Sequence, residues 1–305
     1  MGKILIFGHQ NPDTDSITSS LVMANLEKKL GHDVEACRQG AINKETEYVL
    51  NYLGIEAPTL IEDVEDGTEV ILVDHANNKE SVPNLANAKI LKIVDHHMVA
   101  LNTSYPLYYR AEPVGCTETI MYKLYKENGV EIDKTIATLM VSAIISDTLL
   151  FKSPTCTKED VEVSKKLAEI AEIDLEKYGM DMLKAGTDLS SFTIEEILNL
   201  DAKEMELKGE KAIIAQVNTA SIDEVLTMKA DLEKSMQKII EEKSLDLFMF
   251  VITDIVNSTS KAIVLGNSAD IAERAYNEKI VDNVIELKGV VSRKKQIVPI
   301  MTENA

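Results

Sequence analysis

Four of the five histidines sit in three short segments, each placed after an apolar run and each accompanied by aspartate: Gly8-His9-Gln10-Asn11-Pro12-Asp13-Thr14-Asp15, Asp74-His75 and Asp95-His96-His97. Imidazoles and carboxylates together suit Mn²⁺, Co²⁺, Fe²⁺ or Zn²⁺ better than the all-oxygen shell of Ca²⁺, and the pattern is that of a metal-dependent hydrolase. Taken alone, the first segment reads equally as a helix cap in a solvated turn. Three such segments at the ends of apolar runs are harder to explain by packing, because a buried aspartate without a cation or hydrogen bonds costs several kcal/mol. Asp147 closes the apolar run Ile144-Ile145-Ser146. At the end of a helix it opposes both the dipole and its surroundings, so it calls for a cation. Near the C-terminus, Gly289-Val290-Val291-Ser292-Arg293-Lys294-Lys295-Gln296 gathers cations behind an apolar run. That is a grip for phosphate or carboxylate, or else an edge strand guarded by lysines.

These residues need a scaffold that brings distant segments together. β-Branched runs at 3–7, 33–37, 69–73 and 89–94 alternate with helical patterns, one from about 16 to Gly31 and one from about 43 to Gly54. Such alternation predicts a parallel sheet with right-handed crossovers. Its ligands gather beyond the carboxyl ends of the strands, where all three His/Asp segments fall. Helices are expected over 115–126, 134–150, 158–171 and 175–184. The polar stretch Ala185-Gly186-Thr187-Asp188-Leu189-Ser190-Ser191-Phe192 is the one plausible linker. We therefore expect a first domain over 1–186, a linker over 187–192 and a smaller α/β domain over 193–305. In the latter, strands at 201–207, 211–217, 247–253 and 261–265 and one long helix over 221–242 predict a mixed sheet.

The 305 residues suffice for two cores, and a hydrophobic fraction of 45% beside 27% charged residues is that of a globular chain. The net charge of −19 argues against nucleic acid or anionic membranes as partners. No apolar stretch approaches the roughly 20 residues that span a bilayer. The opening residues read as a strand rather than a signal peptide, so a cytoplasmic location is expected. Cys37, Cys116 and Cys156 are widely spaced, which predicts reduced thiols and no thiolate metal site.

The first segment, the Asp-His-His triplet, Ser146-Asp147-Thr148-Leu149-Leu150-Phe151-Lys152-Ser153-Pro154-Thr155 and Ser292-Arg293-Lys294-Lys295-Gln296 together resemble the family II, manganese-dependent inorganic pyrophosphatases of the DHH phosphoesterase superfamily. The resemblance covers essentially the whole chain, including residues 108–117 and 201–204. It implies a two-domain α/β fold, a parallel-sheet DHH domain followed by a mixed-sheet DHHA2-like domain, with the active site in the cleft between them. It implies hydrolysis of pyrophosphate to two orthophosphates by a water activated between two Mn²⁺ ions, with Co²⁺ as a possible substitute and further Mg²⁺ arriving with substrate. His9, Asp13 and Asp74 would hold one ion, and Asp15, Asp74, His96 and Asp147 the other, with Asp74 bridging. His97, Lys203, Arg293 and Lys294 would serve as catalytic and substrate-binding groups. The family habit implies a homodimer formed through the first domain.

One stretch departs from the family pattern. After Asp74-His75 the family reads Asn-Glu, with a glutamine a few residues on, whereas this chain has Ala76-Asn77-Asn78-Lys79-Glu80, and Met98 stands where a basic residue is expected. The departure touches groups around the ligands, not the bridging aspartate, so activity is expected to survive. The nearest rival is another DHH phosphoesterase, acting on short oligonucleotides, cyclic dinucleotides or polyphosphate. Nucleotide-cleaving relatives carry a Gly-Gly-Gly-His segment, and no two glycines are adjacent here. A metal-binding regulatory protein without catalysis is the rival of a different class. It would have no reason to keep six matched ligands and three cations. No regulatory insert interrupts the first domain, so no nucleotide control is predicted.

Overall fold

The computed structural model describes residues 2–190 and 192–305; Met1 and Ser191, the latter inside the expected linker, lie outside the described residues. The chain divides into two compact units, one ending at Ala185 and the other beginning at Gly186.

The first unit runs β1 (Ile4–Phe7), α1 (Thr14–Lys29), β2 (Val34–Arg38), α2 (Lys44–Leu53), β3 (Thr59–Leu60), β4 (Glu69–Val73), β5 (Ala76–Asn77), β6 (Lys89–Asp95), β7 (Val99–Ala100) and β8 (Tyr108–Ala111). Four helices follow: α3 (Thr117–Glu127), α4 (Lys134–Thr148), α5 (Lys158–Ala171) and α6 (Leu175–Ala185). Six strands form an all-parallel sheet in the order β3-β2-β1-β4-β6-β8, and β5 pairs with β7 separately. Residues 70–73 of β4 are all buried, the mark of a strand covered on both faces. From β1 the chain builds outward through β2 and β3, then crosses to the opposite side of β1 for β4, β6 and β8. The switch point therefore lies between β1 and β4, where open α/β sheets bind their ligands.

Helix α1 starts at Thr14, not near 16, because the Asp13 carboxylate accepts from the Ser16 N–H and caps it. Its end agrees with expectation, with Gly31 left-handed at φ 92° just beyond. Helix α4 stops at Thr148 rather than running to 150. Leu149, Leu150 and Phe151 are all left-handed, at φ 47°, 51° and 67°, and no right-handed helix continues through such residues.

The second unit comprises α7 (Ile194–Asn199), β9 (Ala202–Leu207), β10 (Glu210–Thr219), α8 (Ile222–Leu226), α9 (Lys229–Lys243), β11 (Leu247–Asp254), β12 (Thr259–Leu265), α10 (Asp270–Tyr276), β13 (Val284–Leu287) and α11 (Val298–Asn304). Its sheet has the order β13-β12-β11-β10-β9 and is mixed: β10 and β11 are parallel, the other pairings antiparallel. Alternation along the strands splits the core in two. Ile213, Ala215, Phe248 and Phe250 pack with Leu232 and Met236 of α9, while Ile214, Met249 and Val251 pack with Ile271, Ile297 and Met301.

The single helix expected over 221–242 is two, α8 and α9. The chain breaks at Thr227 and Met228, where ψ of Met228 is 6°, and the break lets Val225 and Leu232 both face the sheet. Residues 293–297, the cationic segment, form a π-helical turn and not an edge strand. No helix of the described residues is long and apolar enough to cross a membrane.

Candidate metal centre

Three adjacent strands deliver the ligand candidates. His9 follows β1, Asp74 follows β4 and His96 follows β6, so parallel pairing places all three at one sheet edge. Asp74 is left-handed, at φ 57°, a strained conformation for a residue with a side chain. The turn aims its carboxylate back across the strand ends. Asp13 and Asp15 come from the start of α1, and Asp147 from the last turn of α4.

The two oxygens of Asp74 face different groups. Oδ2 lies 3.4 Å from His9 Nε2, which is 3.5 Å from Asp13 Oδ2. Oδ1 lies 3.4 Å from His96 Nε2 and 3.5 Å from His97 Nδ1. His96 Nε2 is in turn 3.6 Å from Asp147 Oδ2 and 3.9 Å from Asp15 Oδ2. Three groups of potential ligand atoms result, each within 4.8 Å: His9–Asp13–Asp74, Asp15–His96–Asp147 and Asp74–His96–His97.

Neighbouring groups orient these side chains. His9 Nδ1 donates to the Gln10 carbonyl at 2.8 Å and His96 Nδ1 to the Val114 carbonyl at 3.1 Å, which turns both Nε2 atoms toward the carboxylates. Asp15 accepts from the Ser19 hydroxyl and from the Thr117 N–H at the start of α3, both at 2.8 Å. The Thr117 hydroxyl donates to Asp74 Oδ1 at 3.1 Å. Asp95 Oδ1 lies 3.0 Å from His97 Nδ1 and accepts the His97 N–H. Sequence reasoning overlooked Thr117 and the orienting role of Asp95. The signal for Asp95 was present, as the residue beside two histidines at a strand end, whereas Thr117 acts only through the tertiary approach of α3.

The arrangement is electrostatically unfinished. His96 Nε2 and Asp74 Oδ2 are buried and, among the described residues, have no hydrogen-bond partner. Burial opposes the charge on His9, but Asp13 and Asp74 outweigh it and lift its pKa to about 12. His96, likewise opposed by burial and favoured by Asp74, is lifted to about 9. Burial, then Asp74, pushes Asp15 up to about 7, while burial, then Asp15, drives Asp147 well above the usual carboxylate range. For Asp74 burial is overcome by the close approach of the His9 and His96 rings, each 3.4 Å from one of its oxygens, which holds it well below that range. Crowded carboxylates beside two imidazoles form groups that could hold a metal ion, and a divalent cation would relieve their repulsion.

The cationic candidates belong to the second unit. Lys203 on the edge strand β9 is the register partner of Ile214, and Arg293 reaches the Ile214 carbonyl at 3.4 Å, so the two lie near one another. Lys203 and Lys294 are exposed, and neither makes an ion pair among the described residues. The 293–297 turn is pinned by two amides: the Gln216 side chain accepts the Arg293 N–H at 2.9 Å, and that of Gln296 accepts from Val291 and Ser292 at 2.9 and 3.1 Å.

A parallel sheet carrying His/Asp loops at its switch point, joined to a mixed-sheet unit, defines a two-domain DHH phosphoesterase. Residues 3–144 match the DHH family N-terminal domain and residues 180–304 the DHHA2 domain. The manganese-dependent inorganic pyrophosphatase of Bacillus subtilis is 53% identical over 305 residues, covering 99% of each chain. A relative from Brevibacillus brevis, assigned the same activity, is 55% identical over 99% of this chain and 98% of its own. A Methanococcus jannaschii crystal structure assigned to family II of the inorganic pyrophosphatases superposes with a TM-score of 0.81 at 42% identity, over 98% of each chain. The chain belongs to the family II, manganese-dependent inorganic pyrophosphatases.

Proposed function

We propose that this chain hydrolyses pyrophosphate to two orthophosphates with two Mn²⁺ ions, the first unit acting as the metal-binding catalytic domain and the second as the substrate-binding domain. The observation that carries the reading is the divergence of the Asp74 oxygens, one toward His9 and Asp13 and the other toward His96 and His97. His9, Asp13 and Asp74 would hold one ion, and Asp15, Asp74, His96 and Asp147 the other. When bound, such a pair supplies Lewis acidity, lowering the pKa of water toward neutrality and drawing charge from phosphoryl oxygens. No protein nucleophile is required.

The chain's own side chains do the rest. Asp95 holds His97 through Nδ1 and leaves Nε2 to meet a phosphoryl oxygen. Lys203, Arg293 and Lys294 offset charge on the transferred and leaving phosphates, a role preorganised cations perform well. Thr117 keeps Asp15 and Asp74 in place against their mutual repulsion. Co²⁺ fits the same donors, and Mg²⁺ would accompany the substrate. We further propose a cytoplasmic homodimer formed through the first unit. Support for the dimer comes from β8, whose outer edge is unpaired and whose Tyr108 and Tyr109 are exposed.

The test is phosphate release after metal removal and refilling with Mn²⁺, Co²⁺ or Mg²⁺ alone, using pyrophosphate, long-chain polyphosphate, a mononucleotide and a cyclic dinucleotide. Pyrophosphate should be the preferred substrate in the Mn²⁺ form. Faster cleavage of any other member of the panel would replace this reading with that substrate's.

A further inference from the structure

Arg293 is the most constrained of the proposed phosphate-binding cations, and Asp201 makes the closest contacts to its guanidinium. Its Nη1 donates to the main-chain carbonyl of Asp201 at 2.6 Å, and Nη2 lies 2.8 Å from Asp201 Oδ1. A weaker bond from Nη1 reaches the Ile214 carbonyl at 3.4 Å. The Arg293 side chain keeps 12% of its surface in solvent and the Asp201 side chain 55%. The Arg293 side chain is thus largely sunk beside β9 and β10, while its partner stands at the rim.

The hydrogen-bond geometry of a guanidinium makes this pairing selective. The group is planar and carries five N–H bonds. Asp201 lies along the edge formed by Nη1 and Nη2, its main-chain carbonyl accepting from Nη1 and its carboxylate in ion-pair contact with Nη2. The opposite edge, formed by Nε–H and the second Nη2–H, has no partner among the described residues. Those two parallel donors match two oxygens of one phosphoryl group. At the other end of the side chain the Arg293 backbone N–H is held by Gln216, so main chain and guanidinium are both anchored.

We propose that Asp201 is a positioning residue for pyrophosphate hydrolysis: by occupying one edge of the Arg293 guanidinium it fixes the plane and presents the other edge to a phosphoryl group of the substrate. This inference rests on the reading of Arg293 as a phosphate ligand. Asp201 itself touches no substrate. Lys203, two residues along on β9, has no such side-chain partner among the described residues.

The experiment is a double-mutant cycle on the Mn²⁺-loaded full-length enzyme, with Asp201→Ala, Arg293→Ala and the double variant, and Asp201→Asn as the conservative replacement. Asp201→Ala should lower kcat/KM for pyrophosphate by about tenfold, the cost of losing orientation at a charge-assisted contact. In the Arg293→Ala background it should change nothing. Manganese content and the thermal midpoint should stay at the parent values. Asp201→Asn, which keeps an oxygen beside Nη2, should recover most of the loss. If Asp201→Ala costs the same factor with and without Arg293, or leaves kcat/KM unchanged or higher while Arg293→Ala is crippled, positioning by Asp201 is overturned and the phosphate role of Arg293 stands. A fully active Arg293→Ala enzyme would overturn both.

Discussion

The two units hold their charged groups in opposite ways. In the first, Asp15 and Asp74 are buried, Asp13, Asp147, His9 and His96 are packed beside them, and Asp74 Oδ2 and His96 Nε2 lack hydrogen-bond partners among the described residues. Of the three candidate cations in the second, Lys203 and Lys294 are exposed without an ion pair among the described residues, and Arg293 is fastened down. A cluster of desolvated like charges is costly until cations enter it, whereas solvated lysines cost nothing while they wait for an anion. That contrast is the basis of the proposed roles, a resident ligand for the first unit and a transient one for the second.

Four measurements would sharpen or break that contrast. The largest effect is expected from Asp74→Ala, which removes the one carboxylate that, among the described residues, faces both His9 and the His96–His97 pair. Manganese content should collapse and hydrolysis with it, and full occupancy by two ions in this variant, measured by elemental analysis, would sink the bridging assignment. Next is Gly8→Ala. A Cβ at Gly8 would collide with the side chain and backbone of Ser16, and α1 carries Asp13 and Asp15. Overpacking there should cost about 1–3 kcal/mol in unfolding free energy. It should also weaken Mn²⁺ binding, as a titration followed beside a thermal melt would reveal.

A third measurement concerns protons. In the metal-free protein the raised pKa values of His9 and His96, about 12 and about 9, keep both rings protonated at neutral pH. Cations must displace those protons, so binding should acidify a weakly buffered solution, and affinity should rise with pH by about tenfold per unit for each proton released. A Mn²⁺ affinity that does not change between pH 6 and 8 would contradict the ligand assignment of the two histidines. The smallest effect belongs to Lys294→Ala. An exposed lysine contributes through a screened interaction, so kcat/KM should fall by no more than about tenfold and the loss should shrink at high salt. Manganese content should be unchanged.

Much of this was legible before any fold was known, for definite reasons. Short continuous apolar runs, each leading into His or Asp, disclose strands and the chemistry at their ends, and β4 matches its expected span of 69–73. The short pieces were not legible. Residues 59–60, 76–77 and 99–100 are strands only because a neighbour pairs with them, and their two residues carry no periodicity. The break between α8 and α9 was missed because Thr227 and Met228 contain neither glycine nor proline. Thr117 went unnoticed because its bonds to Asp15 and Asp74 span 102 and 43 positions of sequence.

The amino-acid sequence alone determined which residue types are present, at which strand ends they fall and which family the chain resembles, since these follow from local spacing and identity. Tertiary structure decided the directions. That Asp74 turns one oxygen to each imidazole group, that Asp95 steadies His97, and that Asp201 claims one edge of Arg293 all depend on backbone angles and on residues brought together from far apart. Hydrogen bonds and Coulomb forces act over a few ångströms of space, and linear spacing cannot supply that distance.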